Sequence, residues 1–194
     1  MSGSEIILDI DVGSPYTYLA LELSPRRAQG VPIRLRPVLI GGIFKASGNH
    51  APATNPTKGR YMLRELQELA TQYGIPFRFP SRFPINTLLP QRVLAAAELA
   101  GRVDPVAHAV FRAYWVDDVD VSSPQGLAPV LEALGDGALL ARAADQDVKD
   151  HLREATDAAV AAGVFGLPAF HVGDRFWWGH DRIDLALRAV GNEG

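Results

Sequence analysis

Not one of the 194 residues is cysteine. That single absence excludes disulfides, thiolate metal sites, iron–sulfur clusters and a cysteine nucleophile together. Charge of either sign is not in excess, since 19 Lys and Arg against 22 Asp and Glu leave a formal net charge of -3. Such a balance argues against nucleic acid or an anionic membrane as the partner. No stretch approaches the ~18 apolar residues of a membrane span. Residues 1–5 lack a basic region followed by an apolar one. The expectation is a soluble, cytoplasmic protein with no membrane contact. Histidines are isolated as well: His50, His108, His151, His171 and His180 form no i, i+4 pair and no H-E-x-x-H, so no metal site is expected.

What the chain does have is an ordinary apolar fraction, 47%, and a length suited to one domain with a substantial core. Residues 5–11 (EIILDID) read as a buried strand broken by Gly13. Ser14-Pro15 is a helix start, with serine at the N-cap and proline at the first helical position. Tyr18, Leu19, Leu21 and Leu23 suit a helix that ends before Gly30. A second strand over 31–38, with Ile33 and Leu35 alternating against Arg34 and Arg36, completes a β-α-β unit. Residues 39–57 carry Gly41, Gly42, Gly48, Pro52 and Pro56 and are expected to form a long irregular loop, a length associated with function.

Helical periods follow over 58–73, 88–100, 105–115 (with Asp104 as cap), 124–134 and 147–162. In the last of these Val148, Leu152, Ala155, Ala159 and Ala162 share one face. Residues 75–84 make a proline-punctuated aromatic connection. Short strands at 169–172 and 175–178 flank Gly173-Asp174, a hairpin turn, and a final helix over 182–190 is capped by Asp181.

Three places carry chemistry. Ser14 is either a plain N-cap or a donor beside an anion, because a helix N-terminus directly after the first strand offers free N–H groups and the positive end of the helix dipole. Asp9 and Asp11 form a D-x-D at the end of the first strand, which invites a phosphotransferase reading. The residues after Asp11 do not resemble that loop, and Asp117 and Asp118, the other carboxylates available for Mg²⁺, sit in no motif. The favoured reading is a pair of buried aspartates with hydrogen-bond partners. Residues 163–182 (GVFGLPAFHVGDRFWWGHDR) place Leu167-Pro168 just before a strand. Only an X-Pro bond adopts cis cheaply, and a cis bond there would turn the Leu167 backbone N–H and C=O toward an extended, peptide-like ligand.

Six blocks, in this order, resemble the 2-hydroxychromene-2-carboxylate isomerases and the related kappa-class glutathione transferases, which share a DsbA-type thioredoxin fold. They are residues 11–20 (DVGSPYTYLA), 36–49 (RPVLIGGIFKASGN), 58–61 (KGRY), 74–84 (GIPFRFPSRFP), 164–168 (VFGLP) and 178–182 (WGHDR). The resemblance implies an α/β fold: a thioredoxin-like domain over 1–57 and 145–194, with an inserted all-helical domain over 58–144. It further implies a homodimer that binds glutathione.

Ser14 occupies the place where a redox relative carries its reactive cysteine, so the thiol would come from the ligand. Carried over position by position, the glutathione contacts would be Ser14 at the sulfur, Asn49 and Lys58, the Leu167 main chain beside Pro168, and His180 with Asp181 at the γ-glutamyl end. Lys45 would hold a substrate carboxylate, with Asn49 nearby and Phe44, Phe79 and Phe83 as walls for a flat substrate. Taken one at a time, Asn49 is a turn residue and Lys45 and Lys58 are exposed charges. His180 departs from the family, where Gln, Asn or Ser is usual at that position.

The implied activity is isomerisation of a small aromatic carboxylate, 2-hydroxychromene-2-carboxylate to trans-o-hydroxybenzylidenepyruvate, by reversible addition of the thiolate of glutathione. The alternatives are a kappa-like transferase or peroxidase that consumes glutathione, and a non-catalytic thioredoxin-like protein that holds peptides on the Pro168 edge.

Overall fold

The structure, a computed structural model, describes residues 5–192. The apolar run at the start forms strand β1 (Ile6–Ile10), with Ile6, Leu8 and Ile10 fully buried. Helix α1 (Pro15–Arg27) returns the chain to strand β2 (Ile33–Pro37), which pairs parallel with β1 from Ile6↔Ile33 to Ile10↔Pro37. Strands β3 (Ala169–Val172) and β4 (Arg175–Trp178) form the hairpin around Gly173-Asp174, and β3 runs antiparallel to β1. Among the described residues the strands make one four-stranded sheet of order β2-β1-β3-β4. The first strand is therefore central, and its C-terminal end is where Ser14 emerges.

Residues 39–57 are not the irregular loop expected of them. They contain helix α2 (Ile40–Ser47) and a 3-10 turn (Pro52–Thr54). Two glycines, Gly41 and Gly42, argue locally against a helix. Tertiary packing overrides that preference, because a Cβ on Gly42 would stand 3.0 Å from Cγ2 of Thr156. Thr156 lies on helix α8 (Gln146–Ala161), and its hydroxyl also accepts from the Leu39 amide at 3.0 Å. The small residue lets two helices approach, and Gly48, with φ of 70°, ends α2 in a left-handed turn.

The helical stretch comprises α3 (Pro56–Tyr73), α4 (Leu88–Leu99), α5 (Val103–Trp115), α6 (Pro124–Glu132) and α7 (Ala138–Arg142). Helix α3 starts earlier than expected, because the Asn55 side chain accepts from the Thr57 and Lys58 amides and caps it. Asp104 is not a cap: the N-cap position of α5 is Arg102, and Asp104 lies in the first turn, where a carboxylate still favours the helix dipole. Helix α7 escaped the sequence reading because it is one short turn with no cap side chain. The last helix, α9 (Ile183–Asn192), starts one residue later than expected. The Arg182 carbonyl accepts from its first-turn amides, whereas the Asp181 carboxylate pairs with the Arg182 guanidinium at 2.6 Å.

Helices α1, α3, α4 and α5 pack around the larger core, where Tyr18, Phe111, Tyr114 and Trp115 are nearly inaccessible beside Ile6, Leu8 and Ile10. A smaller cluster of Val38, Ile43, Ala159, Val164, Leu167 and Ala169 sits beneath α2 and α8. The fold thus packs helices against both faces of a mixed sheet.

Candidate functional site

Ser14 closes the turn after β1. Its Oγ accepts from the Thr17 amide at 3.2 Å, capping α1, and donates to the Leu167 carbonyl at 3.2 Å. One hydroxyl thus serves as the cap of α1 and as a donor across the turn to Leu167. Pro15 has no N–H, and among the described residues the Tyr16 amide has no acceptor, so the start of α1 keeps an uncompensated donor and the positive end of its dipole.

The turn is clamped from the helical stretch. Gln91 on α4 accepts from the Val12 amide at 3.2 Å and donates to the carbonyls of Ile10 and Val38, both at 2.8 Å. The Trp115 indole N–H donates to the Val12 carbonyl at 2.9 Å. Buried backbone groups that cannot reach the sheet ladder are thus satisfied by side chains, and the turn is held rigid.

Opposite Ser14, the Leu167-Pro168 peptide is cis. The Leu167 carbonyl takes the Ser14 hydroxyl, whereas its amide has no acceptor among the described residues. The Asn49 amide Nδ2 donates to the Phe165 carbonyl at 2.9 Å, joining the end of α2 to this same segment. On the other side, the His180 ring stacks on Tyr16 at 5.7 Å and meets Tyr73 edge-on at 6.1 Å. Its Nε2 is buried without a partner. Burial pushes the imidazole below the ordinary histidine range, so His180 is neutral at pH 7 and presents one donor and one acceptor nitrogen.

The structure therefore brings Ser14, Leu167, Pro168, Asn49 and His180 around one edge. Lys45 and Phe44 lie on α2, Phe44 half-buried and Lys45 exposed; Lys58 is exposed in the first turn of α3. Among the described residues neither lysine enters a hydrogen bond or ion pair through its side chain, so both ammonium groups are free to meet an anion. Phe83 is half-buried in an aromatic cluster, 5.0 Å from Phe79 and 5.9 Å from Trp115 between ring centres. Asp181 is exposed and paired with Arg182.

Asp9 and Asp11 are both buried and both engaged. Arg36 and His171 hold Asp9, at 2.5 Å from Arg36 Nε to Oδ1 and 2.7 Å from His171 Nε2 to Oδ2. Backbone amides and Thr87 hold Asp11. Among the described residues no third carboxylate joins them, and no three His, Cys, Asp or Glu side chains converge. The D-x-D pattern is thus built into the scaffold.

A model of the DSBA-like thioredoxin domain matches residues 5–191. The chain belongs to the DsbA-like thioredoxin family. Within that family it is 32% identical to human glutathione S-transferase kappa 1 over 202 residues, covering 94% of this chain and 89% of the relative. It is 30% identical to a 2-hydroxychromene-2-carboxylate isomerase of Pseudomonas putida over 197 residues, covering 93% and 91%. A solved 2-hydroxychromene-2-carboxylate isomerase superimposes with a TM-score of 0.84 at 26% identity, over 97% of this chain and 95% of that one. These relatives make the chain an enzyme of the isomerase and kappa-transferase branch of the DsbA-like proteins.

One group beside the site went unnoticed in the sequence. Tyr16 and Tyr61 both donate to the carboxylate of Glu65 on α3, Tyr61 at 3.0 Å and Tyr16 through a very short hydrogen bond. Burial and the Glu65 carboxylate push the Tyr16 phenol above its ordinary range. The available signal was the i, i+4 spacing of Tyr61 and Glu65, which puts both on one helix face. Tyr16, just past Ser14-Pro15, gave no hint that it would meet them.

Proposed function

We propose that the protein is a glutathione-dependent isomerase of a small aromatic carboxylate of the 2-hydroxychromene-2-carboxylate type. One observation carries the reading. In a chain without cysteine, a buried serine hydroxyl at a helix N-terminus faces a backbone edge whose Leu167 amide is unpaired. That arrangement suits the cysteinyl unit of a tripeptide, its backbone paired with Leu167 and its sulfur at Ser14. The unpartnered Nε2 of His180 offers a further polar contact, and Glu65, framed by Tyr16 and Tyr61, is a carboxylate suited to the γ-glutamyl ammonium alongside Asp181.

Glutathione, when bound, supplies a thiol that adds reversibly to the conjugated substrate and is returned. Free thiols titrate near ~8.5, so the task of the chain is to favour the ionised form. The Ser14 hydroxyl and the start of α1 do this by hydrogen bonding and dipole. Lys45 and Lys58 hold carboxylates, Asn49 fixes the Phe165 segment, and Phe44 and Phe83 border the flat substrate. In this reading residues 58–144 form an inserted helical domain on the thioredoxin-like remainder, 1–57 and 145–194, and the working unit is a cytoplasmic homodimer.

The test is the absorbance change of 2-hydroxychromene-2-carboxylate with purified protein and a trace of reduced glutathione. Many turnovers per glutathione are expected. Failure of calorimetry to detect any binding of reduced glutathione would overturn the reading. The similarity to human glutathione S-transferase kappa 1 favours a second outcome, transfer, in which glutathione disappears one for one with product. Asn49→Ala should weaken glutathione binding about three- to tenfold, the worth of one neutral hydrogen bond, with little change in melting temperature because the side chain is exposed.

A further inference from the structure

Asp11 is a buried carboxylate that the proposed chemistry does not consume. Its three hydrogen bonds reach three separate parts of the fold. Oδ1 accepts from the Gly13 amide at 2.8 Å, and Oδ2 accepts from the Ile40 amide at 2.9 Å and from the Thr87 hydroxyl at 3.1 Å. Gly13 immediately precedes Ser14. Ile40 opens α2, whose own N-cap residue, Leu39, offers no side-chain cap, so Asp11 caps that helix from a distance. Thr87 precedes α4, the helix that carries Gln91. The packing has no slack here: a Cβ on Gly13 would stand 2.8 Å from Cγ2 of Thr87 and 3.3 Å from Oδ1 of Asp11.

We infer that Asp11 is a positioning residue for the Ser14 site: its ionised carboxylate locks the Ser14 turn to the start of α2, and its protonation releases both. The inference rests on the reading of Ser14 as the sulfur site of bound glutathione. Helix α2 bears Phe44 and Lys45 and leads to Asn49, so its placement against Ser14 sets the substrate geometry.

All three partners donate to the anion. A protonated Asp11 adds an O–H of its own, and of the three partners only the Thr87 oxygen is able to accept it. Desolvation outweighs the three hydrogen bonds and pushes the carboxyl up to about 6. No charged side chain on α1, α2 or α4 contributes to that shift. The sign follows: the folded state binds this proton more tightly than the unfolded state, so its contribution to stability falls as pH rises from 3.8 through about 6. Above that range the ionised geometry is maintained at a cost in stability, as expected of a group retained for the site.

The experiment has two arms. In ligand-free wild-type protein, the amide NMR shifts of Gly13 and Ile40 are followed from about pH 5 to about pH 8; both should titrate with one shared midpoint near 6. In the second arm, glutathione affinity and kcat/KM are measured over the same range for wild type and Asp11→Asn, with melting curves to show that the variant is folded. An asparagine has one carbonyl oxygen, so its NH2 must face the Gly13 or the Ile40 amide. Asp11→Asn should bind at least about tenfold more weakly at pH 7, the lower end of what one hydrogen bond to a charged group contributes, and lose the acid limb near pH 6. Burial holds His180, stacked on Tyr16, below the ordinary histidine range, and the substitution leaves that environment unchanged. Gly13 and Ile40 amides that do not co-titrate, or a folded variant with the wild-type pH profile, overturn the inference. If wild type binds no glutathione at any pH, the functional reading fails while the amide titration still decides the role of Asp11.

Discussion

Ser14→Ala is expected to lower kcat/KM roughly 10- to 150-fold, the equivalent of the 1.5–3 kcal/mol that a hydrogen bond to a charged group contributes. Melting temperature should fall by only a few degrees. The hydroxyl has two partners in the ligand-free protein, accepting from Thr17 and donating to Leu167. Losing an N-cap costs about 1 kcal/mol, and for a domain of this size each kcal/mol lowers the melting temperature by roughly 2–4 °C. The catalytic loss arises separately, because the donor proton is free to turn from the Leu167 carbonyl to a sulfur anion. Ser14→Gly separates the two roles, since glycine at an N-cap costs only a few tenths of a kcal/mol relative to serine. It should be nearly as stable as wild type and as inactive as Ser14→Ala. Equal loss of stability and activity in the alanine variant, with activity retained in the glycine variant, would reduce Ser14 to a helix cap.

The readable parts of this fold were those in which local pattern and tertiary demand agree. The apolar run of β1, the Ser14-Pro15 start of α1 and the Gly173-Asp174 hairpin each carry their own signal, and β3 and β4 fall where the spacing puts them. Helix α2 was hidden because both determinants are remote: Asp11 caps it from the end of β1, and Thr156 on α8 demands Gly42. The site divides in the same way. Ser14, Leu167 and Pro168 follow from local chemistry, whereas Asn49, Lys45, Lys58 and His180 entered through the family resemblance. Glu65 and Gln91 came from neither, because a glutamate and a glutamine on amphipathic helices look like ordinary surface residues until the partner chain segment is seen. Gln91 is in fact fully buried, and its three backbone partners lie 53 to 81 residues away in sequence.

The largest effect on stability is expected at Asp9. Its carboxylate is fully buried between Arg36 on β2 and His171 on β3, with Arg36 Nε at 2.5 Å, Arg36 Nη2 at 2.9 Å and His171 Nε2 at 2.7 Å. Asp9 and Arg36 are direct partners in the β1–β2 register, and His171 lies diagonally across from Asp9 on β3. A slip of one residue on either strand would turn one of these side chains to the opposite face of the sheet. The cluster therefore favours one alignment of the three strands that meet at the base of the Ser14 turn. Asp9→Asn removes the anion and leaves the Arg36 charge, only 17% exposed, without its partner. Breaking a buried pair in this way costs about 3–5 kcal/mol, a fall in melting temperature of roughly 6–20 °C. Glutathione affinity measured well below the transition should stay near the wild-type value, since Asp9 touches none of the site groups. Replacing the whole cluster by apolar residues of similar volume (Asp9→Leu with Arg36→Met and His171→Phe) should recover most of the stability, because the desolvation of the charges is removed together with their attraction. A melting temperature for Asp9→Asn within 2 °C of wild type, below the shift expected from even 1 kcal/mol, would show that the ion pair contributes nothing net and that apolar packing alone sets the register.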